Sequence, residues 1–194
     1  MTLPQMKLNG VSTLVVDDDQ FGIDLLNQML RGFGMEQTRI VNTAQDGRNC
    51  LENHTIDLCI CSSVLPDQSG ADFIRWARRQ RPPGRFIPII VLTAYSQLHT
   101  VTAVRDAGAN MVIRKPVSPR VLYDRIAWAA RTSRPFVETS TYIGPDRRFK
   151  FLGPPGGVGR RDSDLSGDLG DAMEPNMSQA EIDALVRPTK VVAQ

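Results

Sequence analysis

The sequence predicts an α/β protein with a five-stranded parallel sheet, doubly wound, followed by a mostly disordered C-terminal tail. Three observations lead there. Between residues 12 and 131, short apolar runs alternate with longer amphipathic stretches, the pattern of repeated βα units. The apolar runs are continuous rather than alternating, as in strands covered on both faces. From about residue 132 onward the apolar periodicity stops.

Strands are expected at Thr13–Val16, Thr38–Val41, Asp57–Cys61, Ile87–Leu92 and Met111–Ile113. The first helix, Phe21–Phe33, carries Phe21, Leu25, Met29 and Phe33 at helical spacing, which predicts a stripe facing the core. Ala44–His54 is the second, and Gly70–Gln80, the third, ends before Pro82-Pro83-Gly84. Gln97–Ala107 stops at Gly108, because glycine accepts the positive φ of a helix terminus. Pro119–Ala130 has Ser118 as N-cap and Pro119 at its first position.

The chain has 194 residues and a formal net charge of +2, so bulk charge points neither to nucleic acid nor to a membrane surface. No apolar run reaches transmembrane length, and Met1–Gly10 reads as a flexible N-terminus, neither signal peptide nor anchor. Cytoplasmic localisation without membrane insertion is the expectation. Cys59 and Cys61 fall on one face of the third strand, which suits packing, as does Cys50; no set of further soft ligands suggests a metal site.

The reading divides the chain into a flexible stretch 1–10, a globular domain 11–131, a linker 132–176 and a short amphipathic helix 177–187. Residues 132–194 hold seven glycines and six prolines, too little apolar surface to offset chain entropy. Charge in the tail is segregated. Arg134 to Arg161 has six basic and two acidic residues, whereas Asp162 to Asp183 has seven acidic and none basic. Nothing after residue 131 reads as a DNA-binding domain, so no DNA partner is expected.

In a parallel βα sheet the loops at the strand carboxyl ends converge on one crevice. Asp17 and Asp18 follow the first strand, Ser62 the third, Thr93 the fourth, and Lys115-Pro116 the fifth, so these residues should meet there. This layout resembles the receiver domain of two-component signalling, including the CheY-like chemotaxis receivers, and implies their flavodoxin-like fold. The resemblance implies that Asp17 and Asp18 help hold Mg²⁺, that Lys115 pairs with a phosphoacceptor carboxylate, that Thr93 contacts the phosphoryl group, and that the Lys115-Pro116 bond is cis. The acceptor of the family lies four residues before the loop proline, here Pro66, and that position is Ser62. A serine hydroxyl is a poor nucleophile without an adjacent base. Replacement of the acceptor carboxylate also removes a metal ligand that the resemblance implies, so Mg²⁺ binding is expected to be weak or absent. Lys115 is left to turn to Asp17 or Asp18. Val112 stands where many receivers carry a reporter aromatic.

Two tail segments carry further signals. Tyr142-Ile143-Gly144-Pro145-Asp146-Arg147-Arg148, with Arg160-Arg161 thirteen residues on, offers paired guanidinium groups that can chelate guanine and neutralise phosphate. The arrangement resembles the arginine-rich extension of CheY-like cyclic-di-GMP effectors, which act on the flagellar motor; cyclic-di-GMP is therefore a candidate ligand. A generic solvated basic tail gives the same composition. In Met177–Val186, Ser178 and Glu181 form a capping box, and Ile182, Leu185 and Val186 make an apolar stripe. The segment resembles the N-terminal, receiver-docking peptide of the flagellar switch protein FliM. That implies a chemotaxis-type receiver as partner, in cis or in trans, alongside a motor component. The expected function is a regulatory binding module rather than an enzyme. A phosphorelay receiver with a non-standard acceptor, or a scaffold that recruits another receiver, remain the alternatives.

Overall fold

The computed structural model describes residues 8–95, 97–131 and 135–147. Its main sheet has five parallel strands, β1 (Thr13–Val16), β2 (Thr38–Val41), β3 (Leu58–Ser62), β4 (Ile89–Thr93) and β5 (Met111–Arg114), in the order β2-β1-β3-β4-β5. The helices are α1 (Gln20–Gly32), α2 (Ala44–Asn53), α3 (Gly70–Arg78), α4 (Leu98–Asp106) and α5 (Pro119–Arg131). The expected parallel, doubly wound sheet is what forms.

Alternation along the three inner strands sorts the core into two layers. Leu14, Val16, Cys59, Cys61, Ile89 and Val91 face the layer shared with α2, α3 and α4. Val15, Leu58, Ile60, Ile90 and Leu92 face the layer shared with α1 and α5. Burial on both sides explains the continuous apolar runs. The edge strand β2 departs from that pattern, with Arg39 and Ile40 exposed. All three cysteines are buried in the first layer. The hydrogen bond to Cys59 and then burial push the Cys61 thiol well above its ordinary pKa, and burial raises that of Cys50. They pack as small apolar groups.

Local signals explain the helix starts and stops. Asp19, Thr43 and Ser69 each accept a backbone N–H from the first turn of α1, α2 and α3. Gly108 ends α4 with φ +105°, and the Ala109 N–H returns to the Val104 carbonyl. The α1 stripe needs correction. Phe21 is 80% exposed and Leu25 43%, while Ile23, Leu26, Met29 and Leu30 are buried. The first turn of α1 stands at the rim of the sheet, where a Cβ on Gly22 would lie 3.6 Å from Lys115 Nζ, so Phe21 has no strand to pack on.

The larger correction concerns the tail. Within the stretch read as disordered linker, Phe136–Glu138 (β6) and Ile143–Pro145 (β7) pair antiparallel and form one compact unit with residues 1–131. The reason is tertiary. Phe136 meets the Phe86 ring edge-on at 4.9 Å and lies 5.2 Å from the Arg78 guanidinium, and Glu138 pairs with Arg85 at 2.9 Å. Gly144 approaches so near Gly108 that a Cβ on Gly144 would sit 2.8 Å from the Gly108 Cα. The other features expected in the tail, at 148–194, lie outside the described residues.

Arg78 joins these parts. It is 1% exposed and donates Nε to the Gly108 carbonyl (2.9 Å), Nη1 to the carbonyls of Arg85 (2.8 Å) and Ile87 (2.7 Å), and Nη2 to Asn110 Oδ1 (2.7 Å). Every acceptor is neutral. Burial therefore lowers its pKa, to about 10. Replacing Arg78 by Met leaves several buried oxygens without donors, each costing about 1–3 kcal/mol. The expected outcome is a loss of about 3 kcal/mol or more in urea unfolding, with faster amide exchange across residues 136–145. A loss below about 1 kcal/mol would contradict this account.

Candidate functional site

The loops after β1, β3, β4 and β5 place the candidate residues at the carboxyl edge of the sheet. Ser62 is the last residue of β3, in register with Leu92, and Thr93 is the last residue of β4. The Lys115 N–H donates to the Thr93 carbonyl at 2.8 Å, which fixes the β5 loop against β4, and the Lys115-Pro116 bond is cis.

The closest charged contact is between Lys115 and Asp17. Lys115 Nζ lies 2.6 Å from Asp17 Oδ2 and 3.7 Å from Asp19 Oδ2. Asp17 is 4% exposed, and its other oxygen accepts the Asp19 N–H at 3.2 Å. Asp18 is exposed. Among the described residues, no hydrogen bond joins Ser62 to Lys115; the Ser62 hydroxyl accepts a long contact from the Val64 N–H at 3.4 Å. Asp17, Lys115 and, more distantly, Asp19 thus form one electrostatic cluster, while Ser62 stands beside it as a neutral group.

Thr93 is also committed. Its hydroxyl is 2.7 Å from Ser63 Oγ, donates to the Tyr95 carbonyl at 3.0 Å and accepts the Tyr95 N–H at 3.0 Å. One proton and two lone pairs are the whole capacity of a hydroxyl, so Ser63 acts as donor and nothing is left over. The loop after Ser62 is held as firmly. Asp67 accepts the N–H groups of Ala44 and Gln45, both at 2.9 Å, and the bond to Ala44 is the chief cause of its lowered pKa. Arg48 donates to Gln68 at 2.6 Å. Gly70 is required here, because a Cβ would collide with the Ser62 carbonyl oxygen.

The residues present do not fit a resident Mg²⁺ well. A magnesium site takes several free hard oxygens, yet Asp17 is paired with Lys115 and the strand end offers a neutral hydroxyl. Val112, half-buried in β5, packs against the α2–α4 layer. Among the tail candidates, Tyr142 belongs to the hairpin and donates its hydroxyl to the Pro145 carbonyl at 2.7 Å. Asp146 and Arg147 fall in a second unit. Arg148, Arg160, Arg161, Ser178, Glu181, Ile182, Leu185 and Val186 lie outside the described residues.

Sequence reasoning missed Ser63, Asp19, Asp67 and Arg78. Asp19 carried a signal, a short acid just before a predicted helix. Ser63, Asp67 and Arg78 carried none: Ser63 and Asp67 act through partners 22 to 30 residues away, and Arg78 through oxygens 7 to 32 residues on.

Comparison with known proteins agrees with this geometry. Residues 13–127 match the family model described as response regulator receiver domain. The chain is 38% identical over 121 residues to the transcriptional regulatory protein GltR of Pseudomonas aeruginosa, covering 62% of this chain and 49% of that protein. It is 30% identical over 142 residues to the response regulator protein PilR of the same organism, covering 73% and 30%. The chain thus spans half or less of these relatives. Among solved structures it resembles a CheY-like receiver domain protein from Methanospirillum hungatei, at 33% identity, TM-score 0.55, and 60% and 90% coverage. A response regulator from Chloroflexus aurantiacus gives 29% identity, TM-score 0.58, and 63% and 99% coverage. The chain belongs to the response regulator receiver domain family, the signalling modules of two-component systems.

Proposed function

We propose that this chain is a pseudo-receiver: a regulatory binding module that has lost aspartyl phosphorylation and is controlled through the segments that follow the sheet. The observation that carries the reading is the Lys115–Asp17 ion pair at 2.6 Å beside a serine at the end of β3. The lysine that the family directs at an acceptor carboxylate is occupied by a neighbour. Among the described residues the Ser62 hydroxyl is hydrogen-bonded to no base that could activate it, and the Thr93 hydroxyl has no free bonding capacity. No step through Mg²⁺ is part of this reading. The relatives favour a second reading, an ordinary phosphorelay receiver, which needs a phosphoacceptor at or near Ser62.

Control then falls to the tail. Arg147, Arg148, Arg160 and Arg161, with Tyr142 and Asp146, form the candidate cyclic-di-GMP segment, and the resemblance to motor-acting effectors supports a role in motility or chemotaxis. The segment after Ser178, with Glu181, Ile182, Leu185 and Val186, is the candidate docking peptide for a receiver, its own or another. A motor component is the other expected partner.

Two measurements test the reading. After incubation with acetyl phosphate and Mg²⁺, the intact mass is expected to stay unchanged. A phosphoryl adduct mapped to Ser62 would favour the phosphorelay reading. Isothermal titration with cyclic-di-GMP is expected to give saturable heat, weakened about 10- to 100-fold in the Arg147→Ala/Arg148→Ala variant, the loss of one or two charge-assisted hydrogen bonds. The same titration on a chain ending at residue 176 should match the full chain. Absence of heat at tens of micromolar ligand, roughly a binding free energy weaker than 6 kcal/mol, would end the nucleotide proposal while leaving the pseudo-receiver intact.

A further inference from the structure

The hairpin turn faces a small cavity whose chemistry the proposed function does not use. The turn is four consecutive hydroxyl residues, Thr139-Ser140-Thr141-Tyr142. Thr139 and Tyr142 are engaged: the Thr139 N–H donates to the Tyr142 carbonyl at 2.8 Å, Thr139 Oγ1 accepts the Tyr142 N–H at 3.0 Å, and the Tyr142 hydroxyl binds the Pro145 carbonyl. Ser140 and Thr141 are exposed, and among the described residues neither hydroxyl makes a hydrogen bond.

The turn shares a cavity of about 90 Å³ with Arg75, Arg78, Arg79 and Asp106. Three guanidinium groups and one carboxylate therefore line it. Arg78 gives four of its five N–H groups to neutral acceptors, and Asp106 lies 3.4 Å from Arg105. Arg75 is held at 2.6 Å by Asp72, but that pair is about half exposed on both sides, so it exchanges readily with solvent or another anion. Arg79, at the end of α3, is exposed, and its guanidinium has no hydrogen bond or ion pair among the described residues. The local surplus of positive charge is about that of one phosphate dianion. A phosphoryl group there supplies three acceptor oxygens opposite two available arginines.

We propose that Ser140 or Thr141 is a phosphoacceptor for a protein serine/threonine kinase, and that Arg75 and Arg79 receive the phosphate and lock the hairpin onto the domain. In the transfer, an O–P bond forms between the side-chain hydroxyl and the γ-phosphorus of ATP. The bond from that phosphorus to the β,γ-bridging oxygen breaks, ADP leaves, and the hydroxyl proton passes to the kinase base. Switching therefore takes place at the amino-terminal edge of the sheet, away from the crevice at Asp17 and Lys115. The proposal goes beyond the function above and does not depend on cyclic-di-GMP binding.

The test uses the full chain with phosphoserine installed genetically at position 140 or 141. By phosphorus NMR, the second phosphate pKa is expected to fall below its ordinary value of about 6, because the guanidinium groups favour the dianion. The melting temperature should rise by about 3 °C, the shift that one added charge-assisted contact gives a domain of this size. Both effects should vanish in Arg75→Ala/Arg79→Ala, two exposed positions whose loss leaves the fold intact. A phosphate pKa that stays at about 6 at both positions, or a depression that survives removal of both arginines, overturns the proposal. If inorganic phosphate at low millimolar concentration perturbs the Arg79 side chain of the unmodified chain to the same extent, the cavity is a free-anion site and the covalent assignment falls. In chain recovered from its own cells, the peptide spanning Thr139–Tyr142 is expected to carry one phosphoryl group, absent in Ser140→Ala/Thr141→Ala; an unmodified peptide in both growing and stationary cells also overturns it.

Discussion

A guanidinium group buried among neutral oxygens ties this structure together. Arg78 binds the carbonyls of Arg85, Ile87 and Gly108 and the side chain of Asn110, which in turn accepts the Ile89 N–H. The approaches to β4 and β5 and the end of α4 all converge on one side chain from α3. Desolvating a cation costs several kcal/mol unless its donors are met, and here four are. Phe136 closes the remaining side with its ring. The receiver therefore includes a piece of the chain beyond α5, because the arginine is covered by the hairpin.

The opposite edge of the same sheet is organised by a second cation with the reverse logic. Lys115 meets a carboxylate directly, and the adjoining loops are held by local bonds: Thr93 by Ser63 and Tyr95, and the loop after Ser62 by Asp67 on the start of α2. A phosphoryl-driven switch needs a lysine and a hydroxyl that can be redirected toward a new anion. Each group here already has partners, and redirecting it leaves a buried carboxylate or hydroxyl behind. The crevice has the plan of a receiver, with Lys115, Asp17 and Thr93 each already bonded to a neighbour.

Most of the sheet was legible in the sequence. Strands buried on both faces must be continuous apolar runs, and β1 appears at the residues its composition indicates; β2 also lies where expected, though as an edge strand it exposes Arg39 and Ile40. The convergence of Asp17, Ser62, Thr93 and Lys115 on one edge followed from parallel topology alone. The orientation of α1 did not, because Phe21 and Leu25 fit a helical stripe as well as Leu26 and Leu30 do, and only the position of the sheet rim decides between them. The hairpin was hidden for another reason. Strands of three residues show no periodicity, and theirs are stabilised by Arg78, Phe86 and Gly108, all distant in sequence. Asp67 shows the same limit at the site, since nothing in its own neighbourhood reveals that it caps a helix more than twenty residues earlier.

In the proposed pseudo-receiver, the crevice no longer responds to a phosphoryl group because its acceptor is gone and its cation is paired. Beryllofluoride, a stable mimic of an aspartyl phosphate, tests this directly when added with Mg²⁺ to isotope-labelled chain and to its Ser62→Asp variant. Restoring the carboxylate provides both a ligand for the mimic and a competitor for Lys115. A pseudo-receiver gives no saturable amide shifts at Thr93 and Lys115 in the natural chain, and saturable shifts at both in Ser62→Asp. Saturable shifts at Thr93 and Lys115 in the natural chain would contradict it.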